Sequence, residues 1–398
     1  MSSPRKQNIA IIGAGILGVA LAREILIREP GSTVTVYEKE DAVATHQTGH
    51  NSGVIHAGLY YTPGSLKATL CHRGARLLEE FATEHNVAFE SCGKLVIAST
   101  EAQLPQLQNI YERSIENQVP GARLLSAEEI QEIEPHAIGL GAVHSPKTGI
   151  IDYRLLSEAI AEDVRNRGGS FRFNTKVTSL TPSAGKVTVE TASGKEVYDR
   201  VIACAGLQSD RIAKKSGSQG TPKIVPFSGD YFVLDEKKHD LVKGLIYPVP
   251  DPNFPFLGVH LTRTMSGQTT VGPNAFLSFH REGYGKFPIN IRDSFATASY
   301  PAFWKFAAKN SKMILAELFG SSKGAFAEGA SAFVPGITTA DLHQGPRGIR
   351  AQAMDRQGRL LDDFAIDTQE NILHIRNAPS PAATASLAIA EYLVEKYL

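Results

Sequence analysis

The sequence predicts an α/β protein in which a parallel sheet carrying a dinucleotide cradle is interleaved with a β-rich (α+β) second domain. Three observations carry this. The apolar run Ile9 to Ile12 stops at Gly13, with Gly15 and Gly18 at G-x-G-x-x-G spacing before an apolar helical run, Ile16 to Ile27. A second strand, Thr33 to Tyr37, follows the turn at Pro30–Gly31 and ends on Glu38, twenty residues past Gly18. Finally, 398 residues exceed one typical core, so two domains are expected.

Each residue type in the first unit has a physical task. Gly13 turns the chain out of the strand, Gly15 removes a side chain where a pyrophosphate meets the backbone, and Gly18 lets helix and sheet close up. The phosphates sit on unpaired N–H groups at the helix start. Glu38 is placed to accept from an adenosine ribose hydroxyl, and its charge would repel a 2′-phosphate. Together these make a Rossmann-type unit.

Farther along, Ser65 to Glu84 reads as a helix on Leu66, Leu70, Ala75, Leu77, Leu78 and Phe81. The texture then changes. Ala88 to Ser99 is strand-like, Glu101 to Asn117 helical, and S-A-E-E at Ser126 is a capping-box start. A helix from Tyr153 to Arg167, strands at Ser170 to Phe173 and Lys176 to Leu180, and a hairpin about Ser193–Gly194 come next. Val201 to Cys204 runs into Ala205–Gly206, and a β-rich stretch from Ile224 to about Lys323 is expected to form the main second-domain sheet. A strand at ILHIRNA and a helix from Ala382 to Tyr397 close the chain. The nucleotide domain is therefore expected from 1–85, 149–223 and 324–398, and the second domain from 86–148 and 224–323.

Composition removes several function classes. The 41 basic residues match 41 acidic ones, which leaves no net field to attract nucleic acid. Three cysteines, Cys71, Cys92 and Cys204, form no C-x-x-C pair and fit a reducing compartment. Without a secretory h-region or a window of membrane-spanning length, the expected place is the cytoplasm, with peripheral attachment to the inner membrane face open.

After Glu38 the chain does not continue into further βα units but breaks into THQTGHNSGVIHAGLYY, small, polar and glycine-rich. That loop resembles the second phosphate- and ring-binding segment of the glycine oxidase and D-amino-acid oxidase superfamily of flavoproteins. GAGILG, PGSLKA, CGKLVIA, CAGL, LIYPVPDPNFPFLGVHLTR, REGY, RAQAMD and NAPSPAAT extend the likeness over nearly the whole chain. Taken together they resemble the L-2-hydroxyglutarate oxidase/dehydrogenase family of that superfamily. The resemblance implies FAD, a small dicarboxylate 2-hydroxy acid as substrate, and O2 or a membrane quinone as acceptor.

It also implies where the cofactor contacts lie: Gly13, Ala14, Gly15, Ile16, Leu17 and Gly18, then Glu38 and Lys39, then Gln47, Thr48, His50, Asn51, Ser52 and Gly53. Val177, Ala205 and Gly206 complete the nucleotide side. In the tail, Pro379 and Pro381 stiffen the start of a helix, Ser380 is placed to cap it, and Ala382, Ala383 and Thr384 leave room for a ring. A positive helix end there would stabilise negative charge on a reduced flavin.

An acidic substrate needs cations. Arg350 matches the carboxylate-binding arginine of related amino-acid oxidases, with Ala351 where they have proline; its planar fork suits a carboxylate. For a second carboxylate the candidates are Arg281, Lys67, Tyr60, Tyr61 and Tyr231. Taking the hydroxyl proton requires a base, for which the candidates are His260 and His56, with His260 slightly ahead. Two other readings remain open: an amine or amino-acid oxidase of the same superfamily, and a non-catalytic binding protein on the same fold. Between Tyr300 and Gly320, Lys305, Lys309 and Lys312 form one stripe beside Phe303, Trp304, Phe306 and further apolar residues. That pattern fits either an amphipathic helix packed on the second domain or one lying on a membrane surface.

Overall fold

The computed structural model describes residues 6–218, 220–251, 258–285, 288–311 and 322–398. At its centre Asn8–Ile12 pairs in parallel with Thr33–Tyr37 on one side and Arg200–Ala203 on the other. Ser170–Arg172 and Ile372–Asn377 extend this parallel sheet outward, and Ala365–Gln369 adds an antiparallel edge. Helix Ile16–Arg28 carries buried residues on most of its circumference because it lies between the sheet, helix Tyr153–Asn166 and the closing helix Ser386–Tyr397. Gly18 sits where a Cβ would stand 2.0 Å from the Gly13 carbonyl oxygen, so strand and helix close up only on glycine.

The second domain is a mixed nine-stranded sheet. Lys94–Ala98 lies within it, parallel to Leu245–Pro248 and antiparallel to Gly141–Ser145, while Phe89–Glu90 pairs with Gly149–Ile151 in a separate three-stranded sheet. Helix Lys323–Ser331 covers this sheet through Phe326, Ala327 and Ala330. The capping box expected at Ser126 forms, with Glu129 closing it on helix Ala127–Ile133.

Two expectations change. Strand Leu342–Met354 pairs along nearly the whole length of Lys223–Leu234 in the second-domain sheet, so residues 324–354 lie there and the chain returns to the parallel sheet later, at Ala365–Gln369. The closing helix starts at Ser386, four residues after the expected start, and Ser380 does not cap it. Pro379 to Ala385 instead forms tight turns, with the Ala385 N–H donating to the Pro381 carbonyl (2.9 Å). Against this turn packs helix Leu66–Glu84 at Gly74, where a Cβ would stand 2.4 Å from Ala385 Cα.

Of the stretch expected to form a surface helix, Pro301–Lys309 is helical, and 312–320 lies outside the described residues. Phe303 and Phe306 are buried with Val225, Phe227 and Met354, so this helix packs on the second domain while Trp304 and Lys305 face outward. Among the described residues, no helix is long and apolar enough to cross a membrane.

Candidate active site

Between the two domains runs one cavity of about 1060 Å³, at the upper end of the roughly 300–1,000 Å³ usual for ligand pockets. Its nucleotide end is built from the first βα turn. Helix Ile16–Arg28 has no side-chain cap and no acid in its first turn, leaving a positive end toward the cavity. A Cβ on Gly15 would meet only Thr48 Oγ1, at 3.4 Å, so the space before the helix is open. Glu38 is held at that end by the N–H groups of Ala14 (2.8 Å) and Glu40 (3.0 Å). Gly13, Ile16, Leu17, Gly18, Lys39, Gln47, Thr48, His50, Asn51, Ser52, Val177, Ala205 and Gly206 line the cavity with them. Ala14 and Gly53 do not; both act through backbone, Gly53 at φ +70 with its N–H bound to Asn51 Oδ1 (2.8 Å).

Lys39 is engaged rather than free. Its ammonium sits among Glu40, Glu282 (3.0 Å) and His46 (2.6 Å), so the cluster of two carboxylates and an imidazole already encloses a cation. His50 stacks on Tyr284 with ring centroids 3.7 Å apart, which fixes the loop over the nucleotide end.

The inner end is framed by the 379–384 turn and the second-domain sheet. Pro379, Ser380, Pro381, Ala382, Ala383 and Thr384 all line it. Thr384 is buried, with Oγ1 bound to the Tyr153 hydroxyl (2.8 Å) and accepting from the His56 N–H (3.1 Å). Tyr231 falls at the irregularity between Asp230 and Phe232 where strand Lys223–Leu234 shifts register, and Arg350 stands opposite Phe227 on the partner strand; both reach the cavity. A bidentate Arg347–Asp230 pair (2.5 and 2.9 Å) holds the two strands together.

His260 is 5% exposed and packs on the Tyr247 ring at 3.9 Å. Its Nδ1–H donates to the Gly258 carbonyl (2.9 Å), which leaves Nε2 as the acceptor nitrogen. Burial, and then the charges of Lys94 and Arg350, lower its pKa to about 3. His56 is lowered to about 3 by burial and then by Lys94. Both imidazoles are therefore neutral at physiological pH, each with one ring nitrogen unprotonated.

Of the candidates for a second carboxylate, Tyr60, Tyr61 and Lys67 line the cavity, although Lys67 is engaged with Asp362 at 2.7 Å. Arg281 does not line it. It is 3% exposed and spends its guanidinium on Asp210 (2.5 and 2.9 Å) and on the carbonyls of Leu207 and Ile224. Arg281 ties the nucleotide domain to the second domain, and its guanidinium is spent there rather than on a substrate. Lys94 and Tyr247, which sequence reading did not single out, do line the inner end. The available signal was a lysine inside the otherwise apolar strand KLVIA, 2% exposed here.

Comparison with known proteins gives the site its frame. The model of the FAD dependent oxidoreductase (DAO) family matches residues 8–396. The chain is 45% identical to L-2-hydroxyglutarate dehydrogenase of Indibacter alkaliphilus, covering 98% of both chains. It is 43% identical to the mitochondrial L-2-hydroxyglutarate dehydrogenase of Homo sapiens, covering 98% of this chain and 88% of the human one. Among solved structures, L-alpha-glycerophosphate oxidase from Mycoplasma pneumoniae with FAD bound superposes with a TM-score of 0.76 at 21% identity, covering 98% of this chain and 94% of that one. Glycine oxidase from Geobacillus kaustophilus gives 0.70 at 16%, with the same coverage. The open helix start, the fixed Glu38 carboxylate and the turn of small residues at 379–384 fit FAD. The chain belongs to the DAO family of FAD-dependent oxidoreductases.

Proposed function

We propose that this protein oxidises L-2-hydroxyglutarate to 2-oxoglutarate. The observation that carries the reading is the convergence, at the inner end of one dinucleotide-sized cavity, of Arg350 with a neutral His260 whose Nε2 is an acceptor. FAD, when bound, supplies the two-electron acceptor for the hydride leaving C2. Arg350 holds the C1 carboxylate through paired charge-assisted bonds and so fixes the orientation of C2 and its single hydrogen in the cavity. His260 Nε2 takes the hydroxyl proton as the carbonyl forms, and the Gly258 carbonyl keeps the imidazole in the tautomer this requires. His56, tied through its backbone to Thr384, lies on the cofactor side and is the second candidate for the proton.

The decisive experiment is anaerobic. The purified protein should be yellow, and L-2-hydroxyglutarate should bleach its flavin absorbance while the D-isomer, L-lactate and glycine do not. A colourless protein that cannot be reconstituted with FAD, or bleaching by glycine instead, defeats the proposal.

For the acceptor, a membrane quinone has one specific observation in its favour. Phe279 (52%), Ile291 (85%), Phe295 (72%) and Trp304 (59%) are exposed on neighbouring segments. Phe279 accepts through its carbonyl from Ser294 at the start of helix Ile291–Ala298, and Trp304 donates its indole N–H to the Ala298 carbonyl at that helix's end. Apolar side chains beside Lys305 and Lys309 suit contact with an anionic bilayer. Sedimentation with anionic vesicles, reversed by salt, is the expected result; staying in solution while reducing O2 rapidly would make the enzyme an oxidase.

A further inference from the structure

Among the described residues, no carboxylate stands beside the buried amine of Lys94. Its strand is buried at all five positions, and the ammonium lies 3.6 Å from the centroid of the Tyr247 ring and 4.6 Å from that of Tyr60. Among the described residues, the titratable groups facing it are His56, His260, Cys71, Tyr60 and Tyr247, and none is a carboxylate. Cation–π contact with two rings offsets only part of the desolvation cost of a buried ammonium, which in proteins is several kcal/mol. Beside it, the Tyr60 hydroxyl is buried and, among the described residues, has no hydrogen-bond partner. A donor and a cation thus face the cavity, both lacking an acceptor.

We propose that Lys94, assisted by the Tyr60 hydroxyl, seats the second carboxylate of the substrate and makes the enzyme select a diacid over a monoacid. This rests on the proposed function and assigns its substrate specificity to particular atoms. A carboxylate docked there satisfies the ammonium and the hydroxyl together, while Arg350, which also lines the cavity, takes C1. A monoacid of equal length leaves both groups bare, and the cost of that falls on its binding.

A pH signature follows. Burial lowers Lys94 to about 7, and an approaching carboxylate raises it. At pH 8 the empty site is largely neutral and the filled site charged, so diacid binding takes up one proton. Affinity for a diacid then falls roughly tenfold per pH unit above about 7, whereas a monoacid shows no such loss. The neighbours do not mimic this. His56 and His260 titrate near pH 3, Cys71 is pushed up to about 12, and both tyrosines are raised from their ordinary value.

The test uses FAD-loaded protein, with the unreactive pair glutarate and pentanoate for calorimetric binding and L-2-hydroxyglutarate and L-2-hydroxypentanoate for anaerobic flavin reduction. Wild type should prefer the diacid by roughly 100-fold or more, the worth of one buried charge-assisted carboxylate contact. In Lys94→Met that preference should collapse to a few-fold and the buffer-dependent proton uptake with glutarate at pH 8 should vanish. Tyr60→Phe, a milder change should Lys94→Met fail to fold, should cut the preference by roughly tenfold, the cost of one hydrogen bond. A diacid preference that survives both substitutions, or equal losses for diacid and monoacid, overturns the assignment while leaving the proposed function standing. Wild type that is not reduced by L-2-hydroxyglutarate overturns both.

Discussion

At the scale of single residues, the two arginines of the sequence reading part company. Arg350→Met should raise KM for L-2-hydroxyglutarate by roughly 100-fold with FAD retained, because it removes a paired charge-assisted contact to the substrate and nothing that holds the cofactor. Arg281→Met should leave KM of the surviving enzyme near wild type but destabilise the fold by about 3–5 kcal/mol, since it strips one partner from a buried ion pair and leaves Asp210 uncompensated. Steady-state kinetics and thermal melts on the same two preparations check both. His260→Asn should lower kcat by roughly 10²–10⁴ if its Nε2 is the base, read against His56→Asn by rapid reduction of the flavin. What was legible here was residue type: a planar cation for a carboxylate, an imidazole for a proton. What was not legible was occupancy. Arg281 and Lys94 look alike in sequence, yet the first meets Asp210 across 71 residues of chain and the second meets only aromatic rings and neutral side chains. Only long-range packing distinguishes a cation already neutralised from one still awaiting its anion.

Among elements, the first βα turn allows a sharp contrast. Gly15→Val should fold and melt like wild type but purify with little flavin, since the added side chain enters open space meant for a phosphate. Gly18→Val should yield little folded protein, since it drives a Cβ into the Gly13 carbonyl. Flavin per polypeptide and the melting temperature separate the outcomes. Gly74→Val should resemble the second of these, because its Cβ would stand 2.4 Å from Ala385 Cα and forces helix Leu66–Glu84 off the turn that frames the inner end. These local elements were readable because each carries its own punctuation: glycine spacing, a capping box, alternation about Ser193–Gly194. The assignment of Leu342–Met354 was not. Its strand character shows in GIRAQAM, but no local pattern says that its partner is Lys223–Leu234 rather than the parallel sheet. The closing helix was misjudged by four residues for a related reason. Small residues after a proline satisfy a helix start and a tight turn equally, and the choice was made by Tyr153 bonding Thr384 and by Gly74 packing on Ala385.

For the molecule as a whole, buried neutral histidines make acid the weak side of its stability. His260 and His374 have folded values of about 3 and about 4, well below the ordinary 6.5, each because burial disfavours the charged ring. Between pH 6.5 and pH 5 the unfolded chain binds a proton at each and the folded chain does not, so stability falls as pH falls, by up to about 1.4 kcal/mol per pH unit per histidine. The melting temperature should therefore drop on acidification through that window, and His374→Asn should flatten the slope. An unaltered slope in that variant would mean His374 is already protonated in the fold.

The strand order of the parallel sheet also bears on how the protein is made. Ile372–Asn377 lies two places from Asn8–Ile12, the 379–384 turn closes the inner end, and helix Ser386–Tyr397 packs on helix Ile16–Arg28. In order of synthesis, the glycine turn therefore precedes the outer strand, the turn and the covering helix by several hundred residues. Flavin capture has to wait until the segment from Ile372 to Tyr397 has been made and folded, and a premature stop before Ile372 would leave a polypeptide that carries the whole G-x-G-x-x-G signature yet never turns yellow.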